Sequence, residues 1–224
     1  MTELFINYRR CLEKYGEPLG GERLSDERID SYQNRIPETF LVFLRAYGTG
    51  KWLNGYFQLC SPDKYQSLLN LVFDGDAEFS KEKTYAIGFS AFGEILAWNE
   101  THRVVEINFL YNRVSCSDLF KPKPHISEDI RLGGAIGGVS DEAYDLPDQN
   151  GKPMFKRALK MHGELEVGQI YAPKLHPALG GAITVENLRP ADALVAMTIA
   201  AQAGPFTLFD TTKPNVPAVR HIGE

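Results

Sequence analysis

RIPETFLVFLRAYGTGKWLNGYFQL, residues 35–59, contains a helix pattern followed by a strand pattern. In its first half apolar residues recur at helical spacing between Pro37 and Gly48, which are typical start and stop residues, so we predict a helix over 38–47. In its second half, aromatic and apolar residues flank Asn54-Gly55, a dipeptide that favours a tight hairpin turn. A helix that leads directly into an antiparallel hairpin favours an α+β fold.

The residues on either side extend both patterns. Before the quoted stretch, apolar spacing predicts a helix over about 5–15, and Ser25 is a typical N-cap for a second helix. After it, Ser61-Pro62 predicts a helix through about residue 73, and the β-branched and aromatic residues of 84–114 predict three or four antiparallel strands. We therefore expect a helical N-terminal subdomain with an antiparallel sheet. The aromatic residues expected in its core are Trp52, Tyr56, Phe57, Phe92, Trp98 and Phe109.

The second half of the chain predicts a smaller unit of helices and strands. Gly and Pro are frequent in 121–153, which predicts a long loop with at most a short helical turn over 126–132, and the glycines of 132–138 are interpreted as flexible. Beyond this loop, the predicted elements are a helix over 152–162, strands near Ile170 and Ala182, a helix from Pro190 to Gln202 and a strand over 206–210.

These elements divide the chain into three predicted parts. The first is a domain over 1–120 that contains the sheet, and the second is a smaller helix and strand domain over 121–210 packed against it. The third is a flexible tail over 211–224, because Pro214 and Pro217 interrupt regular structure there.

Charge and hydropathy exclude several functional classes. The 224 residues include 24 Lys and Arg against 29 Asp and Glu, and the net charge of −5 is opposite in sign to that of proteins that bind a phosphate backbone. The longest nearly apolar run, 193–201, is about half of the roughly 20 residues that a membrane-spanning helix needs. Neither direct nucleic-acid binding nor a membrane span is expected.

The cysteines and the N-terminal residues indicate the cytoplasm. Cys11, Cys60 and Cys116 are odd in number and far apart, which is typical of reduced thiols rather than a disulfide framework. The first ten residues mix charged and apolar side chains, so we expect no secretion signal.

No short motif predicts catalysis or cofactor binding. Ser61-Pro62-Asp63-Lys64 matches S-x-x-K, but the same residues are a normal helix start and the accompanying motifs of that enzyme class are missing. A nucleophile elbow around Ser90 is excluded because Phe92 occupies the position that requires glycine. The five histidines lack metal-ligand spacing, so we expect no metal and no cofactor.

Four acidic residues are the candidate partner-binding site. Asp141, Glu142, Asp145 and Asp148 lie in a segment, 128–151, whose only basic residue before Gly151 is Arg131. Such charge runs are usually solvated surface, but a negative patch also steers a basic protein partner towards its contact region.

Two parts of the chain resemble known families. Residues 35–65 resemble the GAD-like domain family, and more loosely the helix, Tyr-Gly, Trp and Gly pattern of the cell-wall-regulator-like immunity superfamily. Downstream pieces resemble the C-terminal domain of type VI secretion immunity proteins. These pieces are AFGE (91–94) with the strands after it, FKRALKMHGEL (155–165), QIYAP (169–173), PALGG (177–181) and the closing helix to Ala201-Gln202.

This resemblance implies a non-enzymatic bacterial immunity protein that binds and silences a cognate toxin in the cytoplasm of the producer cell. In the best-known relatives the toxin is a DNase, so a DNase toxin is the expected partner, with the immunity protein a monomer or weak homodimer. The family brings no catalytic residues. From the residues alone, two alternatives stay open: a small enzyme with a site assembled from distant residues, and a regulatory module that binds a nucleotide or peptide through 133–138.

Overall fold

The computed structural model describes residues 4–139 and 143–224. Its helices are α1 (Ile6–Tyr15), α2 (Asp26–Asp30), α3 (Glu38–Tyr47), α4 (Gln66–Val72), α5 (Ser117–Phe120), α6 (Glu128–Gly137), α7 (Phe155–His162) and α8 (Ala193–Ala201). Its strands are β1 (Leu19–Gly20), β2 (Gly50–Trp52), β3 (Phe57–Leu59), β4 (Thr84–Ser90), β5 (Glu94–Asn99), β6 (Arg103–Asn108), β7 (Arg113–Ser115), β8 (Gln169–Pro173), β9 (Leu188–Asp192), β10 (Thr207–Phe209) and β11 (Ala218–His221). The fold is α+β, as predicted.

Nine strands form one sheet in the order β1-β2-β3-β4-β5-β6-β7-β10-β11, while β8 and β9 form a separate antiparallel pair. Neighbouring strands of the large sheet are antiparallel except for β7 and β10, which are parallel. A parallel pair needs a long crossover, and here the chain from α5 to α8 supplies it.

The predictions for residues 35–115 are confirmed. The helix over 38–47 is α3, and the hairpin is β2 and β3, joined through Leu53, Asn54 and Gly55, all with positive φ. The strands predicted in 84–114 are the four antiparallel strands β4 to β7.

Hydrophobic cores lie on both faces of the large sheet because strand residues alternate between the faces. Along β5, Leu96 and Trp98 face the core formed with α1 and α3, whereas Ile95 and Ala97 face the core formed with α4 and α8. All six aromatic residues predicted as core are buried.

Both cores contain residues from each end of the chain. In the first, Leu165 and Tyr171 pack with Trp52 and Trp98, and in the second, Met197 and Leu208 pack with Ile95. The smaller C-terminal part is thus packed on the sheet, and the boundary near residue 120 stays a prediction.

Three elements differ from the sequence predictions. The glycines of 132–138 are not a flexible loop but belong largely to helix α6, because Asp129 anchors its first turn by accepting hydrogen bonds from the Thr39 backbone and hydroxyl at 3.2 and 2.7 Å. The strand expected near Ala182 is instead β9, and the last helix begins at Ala193, because Asp192 is its N-cap and Pro190 lies in β9.

The tail also differs from the expected flexible segment, because 218–221 form the edge strand β11 paired with β10. Arg220 on β11 makes an ion pair of 2.6 Å with Asp76, whose side chain is fully buried and also accepts a hydrogen bond from the Gly223 backbone at 2.9 Å. Burial alone would raise the pKa of Asp76, but these donors outweigh it and lower the pKa to about 2. Among the described residues, no helix combines the length and apolar character that crossing a membrane requires.

Candidate functional site

The predicted acidic site is partly engaged within the fold. Asp141 and Glu142 lie outside the described residues. The Asp145 carboxylate accepts hydrogen bonds from the backbone N–H groups of Met154 and Phe155, both at 2.9 Å, where α7 begins. The Met154 N–H also donates to the Leu146 backbone carbonyl at 3.0 Å, whereas the Phe155 N–H is one that a helix start leaves unpaired. Asp145 therefore stabilises the start of α7, although burial raises its pKa.

Asp148 is the second acidic residue with an internal role. Its side chain is 4% exposed and accepts a hydrogen bond from the Arg157 guanidinium at 2.6 Å and from the backbone N–H groups of Asn150 and Lys152. The Arg157 bond first, and then the backbone donors, lower the pKa of Asp148 to about 2. The partner-binding role of the four acidic residues stays a prediction.

A polar cavity of about 310 Å³, which we call the carboxylate pocket, lies where β5, β6 and β7 meet the segment 143–147. Glu94 on β5 accepts a hydrogen bond from the Asn108 side chain at 3.2 Å, and Glu106 on β6 accepts one from the Ser115 hydroxyl at 3.1 Å. Arg113 on β7 stacks on the Phe209 ring, with 4.0 Å between its Cζ and the ring centroid.

Glu94 is the group in this pocket whose protonation changes near neutral pH. Burial, followed by the charge of Glu106, raises the pKa of Glu94 to about 7. The pocket therefore offers an easily protonated carboxyl group next to the Glu106 side chain, an arrangement that suits a cationic ligand or a proton transfer. The described residues contain no cluster of His, Cys, Asp and Glu side chains suited to hold a metal ion.

A second cavity of about 240 Å³, which we call the apolar groove, runs along α8. Its floor includes Phe92 at the β4–β5 turn and Phe109 after β6, and its walls are α8 and the segment 173–179. Gly93 allows this close packing, because a Cβ there would lie 3.1 Å from the Ile170 Cδ1 atom. This groove was not among the predicted sites.

The motifs set aside as non-catalytic have structural roles. The Ser61 hydroxyl donates a hydrogen bond of 2.6 Å to Asp63, which also receives bonds from Arg28 and Tyr32, so Ser61 belongs to a partly exposed polar network at a helix start. The Ser90 hydroxyl accepts hydrogen bonds from the backbone N–H groups of Phe92 and Glu94 and thereby closes the β4–β5 turn.

Two family models match the chain. Residues 7–111 match the GAD-like domain, and residues 138–203 match the C-terminal domain of the T6SS immunity protein Tdi1. The crystal structure of Atu4351 from Agrobacterium tumefaciens is 55% identical, covers 97% of this chain and 98% of that chain, and superposes with a TM-score of 0.94. The chain belongs to the same family as Atu4351 and combines a GAD-like domain with the C-terminal domain of the T6SS immunity protein Tdi1. No curated protein sequence matches it.

The matched immunity domain contains most of the apolar groove. Strands β8 and β9, helix α8 and the segment between 173 and 179 all fall within 138–203. The sequence contains one signal for this groove, the run ALVAMTIAA over 193–201. The run is too short to cross a membrane and has no polar face, a pattern typical of a helix covered on both sides.

Proposed function

We propose that this protein binds a cognate type VI secretion toxin, a nuclease, in the cytoplasm of the producing cell and neutralises it by occupying its surface. The observation that carries this proposal is the match of residues 138–203 to the T6SS immunity protein Tdi1. An immunity protein needs a rigid, complementary surface rather than a reactive group. The two hydrophobic cores, each built from both halves of the chain, provide a rigid scaffold for such a surface.

Charge supports the proposed nuclease as the target. Proteins that bind a nucleic-acid backbone carry basic surfaces, and this chain has a net charge of −5. Opposite net charges raise the rate of encounter and favour the correct partner. We place Asp141, Glu142, Asp145 and Asp148 in the contact region for this reason.

The test uses the toxin encoded next to this gene, in a catalytically inactive form for binding and an active form for inhibition. We expect a one-to-one complex that buries about 1,600 Å² of surface, with a Kd in the nanomolar range or below, and protection of plasmid DNA at equimolar amounts. Absence of binding by calorimetry, or continued DNA cleavage in the presence of excess protein, would contradict the proposal.

A second candidate function rests on the carboxylate pocket. A carboxyl group with a pKa of about 7 in a cavity is a feature that acid and base catalysts also show. Glu94→Gln separates the two functions, since it removes proton transfer and leaves the shape of the pocket. If toxin neutralisation is unchanged in this variant, the pocket is not needed for immunity.

A further inference from the structure

Helix α8 has an exposed face without polar residues. Ala193, Met197 and Ala200 face the sheet and are buried, whereas Val195 and Ile199 on the outer face are 57% and 64% exposed. A surface helix of a free-standing protein normally carries polar residues on its outer face. The one hydroxyl group of the helix, on Thr198, donates a hydrogen bond to the Leu194 backbone carbonyl at 2.7 Å and so adds no polar surface.

The opposite wall of the apolar groove is also apolar and exposed. Leu179, at the end of a short 3-10 turn, is 69% exposed, and Leu175 is 47% exposed. His176 holds this wall in place, because its Nδ1 accepts a hydrogen bond from the Ala178 backbone at 3.2 Å. Exposed apolar side chains that line one concave surface are typical of a protein interaction site.

The length and shape of the groove fit an α-helix. The nine residues of α8 form a straight wall of about 13 Å, which equals two to three turns of a helix laid alongside it. Amphipathic helices commonly bind in such a way, with apolar residues at helical spacing inserted between the walls.

The rim of the groove is positively charged although the protein is acidic. The Arg189 side chain is exposed and makes no hydrogen bond or ion pair among the described residues. Lys174 lies beside the same opening, and its Nζ donates a hydrogen bond to the Glu186 backbone carbonyl at 2.6 Å. Asp192 is also at the rim, but its carboxylate accepts a hydrogen bond from the Val195 backbone and offsets the positive end of α8.

These charges identify the occupant. A second copy of this chain, docked through the same groove on a twofold axis, would bring the two basic rims together, which disfavours a symmetric dimer here. We infer that the apolar groove binds an amphipathic α-helix of the toxin, with apolar residues against Val195 and Ile199 and a carboxylate against Arg189. This inference rests on the proposed function and names the surface through which it is exerted.

Binding measurements with three variants test this surface. The probe is the inactive toxin from the neighbouring gene. We expect Val195→Glu/Ile199→Glu to weaken binding by at least about 30-fold, as for residues at the centre of an interface, and Arg189→Glu to weaken it by about tenfold with a smaller dependence on salt. Ile6→Glu is the matched control, because Ile6 is also an exposed apolar residue on a helix, α1, that neither lines the groove nor belongs to the acidic segment.

The outcomes separate this inference from the proposed function. If the wild type does not bind the toxin, the proposed function fails. If the wild type binds, and the groove variants, folded by circular dichroism, bind equally well, only the groove assignment fails.

A photo-crosslinking residue at position 199 identifies the occupant directly by mass spectrometry. A crosslinked toxin peptide that combines helical apolar spacing with Asp or Glu supports the inference. Crosslinks to a second copy of this chain, or to a toxin segment without that pattern, overturn it.

Discussion

Glu94 lies on β5 in the carboxylate pocket, where burial and the neighbouring Glu106 carboxylate raise its pKa to about 7. Between its ordinary pKa, near 4.5, and pH 7 the folded protein keeps this proton while the unfolded chain releases it. The contribution of the protonated Glu94 side chain to the free energy of unfolding is therefore complete below about pH 4.5 and is lost as the pH rises through 7. Glu106 and Arg113 line the same pocket and act on this equilibrium in opposite directions, because the charge of Glu106 raises the pKa of Glu94 and the charge of Arg113 lowers it.

We expect Glu94→Gln to remove most of this pH dependence. Glutamine keeps an acceptor for the Asn108 amide and carries no charge, so the variant should be more stable than the wild type at pH 8, by on the order of 2 kcal/mol. The melting temperature between pH 5 and 8, measured by circular dichroism, checks this. Glu13→Gln, at an exposed position of α1, is the control, and identical pH curves for Glu94→Gln and the wild type would contradict the expectation.

At the scale of elements, helix α6 shows how packing can override local preference. Glycine costs about 1 kcal/mol relative to alanine in a helix interior, and α6 contains three glycines. Gly133 has a packing reason, since a Cβ there would lie 3.0 Å from the Cβ of Asn7 on α1. Gly134 has none, because a Cβ at that position meets no atom within 4 Å.

Replacing each of these two glycines with alanine is expected to change the free energy of unfolding in opposite directions. Gly134→Ala should raise the free energy of unfolding by about 0.5–1 kcal/mol, because it restricts the unfolded chain without a clash. Gly133→Ala should lower it by roughly 1–3 kcal/mol, because α1 must move to make room. Urea denaturation of both variants checks this pair, and equal stabilisation by both would show that α1 does not pack tightly on α6.

The acidic segment 128–151 is the element expected to govern toxin association. In Asp141→Lys/Glu142→Lys we expect association to be up to about tenfold slower at low salt and nearly unchanged at high salt. Asp145 and Asp148 are left unaltered, because they stabilise the start of α7 and pair with Arg157.

The control for this charge reversal is Glu13→Lys/Glu17→Lys, which changes the net charge equally in another part of the sequence. Stopped-flow or biosensor measurements of the association rate at two salt concentrations separate a local effect of Asp141 and Glu142 from a general effect of the net charge. Equal rates for the two double variants would remove Asp141 and Glu142 from the contact region.

Elements with a strong local pattern could be predicted from the sequence, and elements set by distant contacts could not. Helix α3 and strands β4 to β7 follow from periodicity and turn residues within a few positions. Helix α6 depends on contacts with α1 and α3, and strand β11 depends on the ion pair between Arg220 and Asp76, 144 residues apart. For the same reason the groove was missed, since its walls come from α8 and the 173–179 segment and its floor from the sheet.

The whole molecule is held together by contacts that join the two halves of the chain. Strand β10 pairs with β7, so the last two strands of the large sheet come from the C-terminal part of the chain, and both cores mix residues from before and after residue 120. Such an arrangement favours a single cooperative unfolding transition. The apolar groove joins the two halves in the same way. Its floor, Phe92 and Phe109, belongs to the large sheet region, and one of its walls, α8, belongs to the matched immunity domain.

Leu165 tests whether the two halves unfold together. It is fully buried in the core that contains Trp52 and Trp98, and it packs so closely on the hairpin that a Cβ on Gly55 would lie 2.8 Å from its own Cβ. Leu165→Ala should lower the free energy of unfolding by about 2–5 kcal/mol through the cavity that it leaves.

Both tryptophans precede residue 120, so the unfolding curve followed by their fluorescence should shift to lower urea together with the curve followed by far-ultraviolet circular dichroism. Met161→Ala, at an exposed position on α7, should leave both curves in place. If Leu165→Ala shifts the circular dichroism curve and leaves the tryptophan curve unchanged, the two halves unfold independently and the sheet does not couple them.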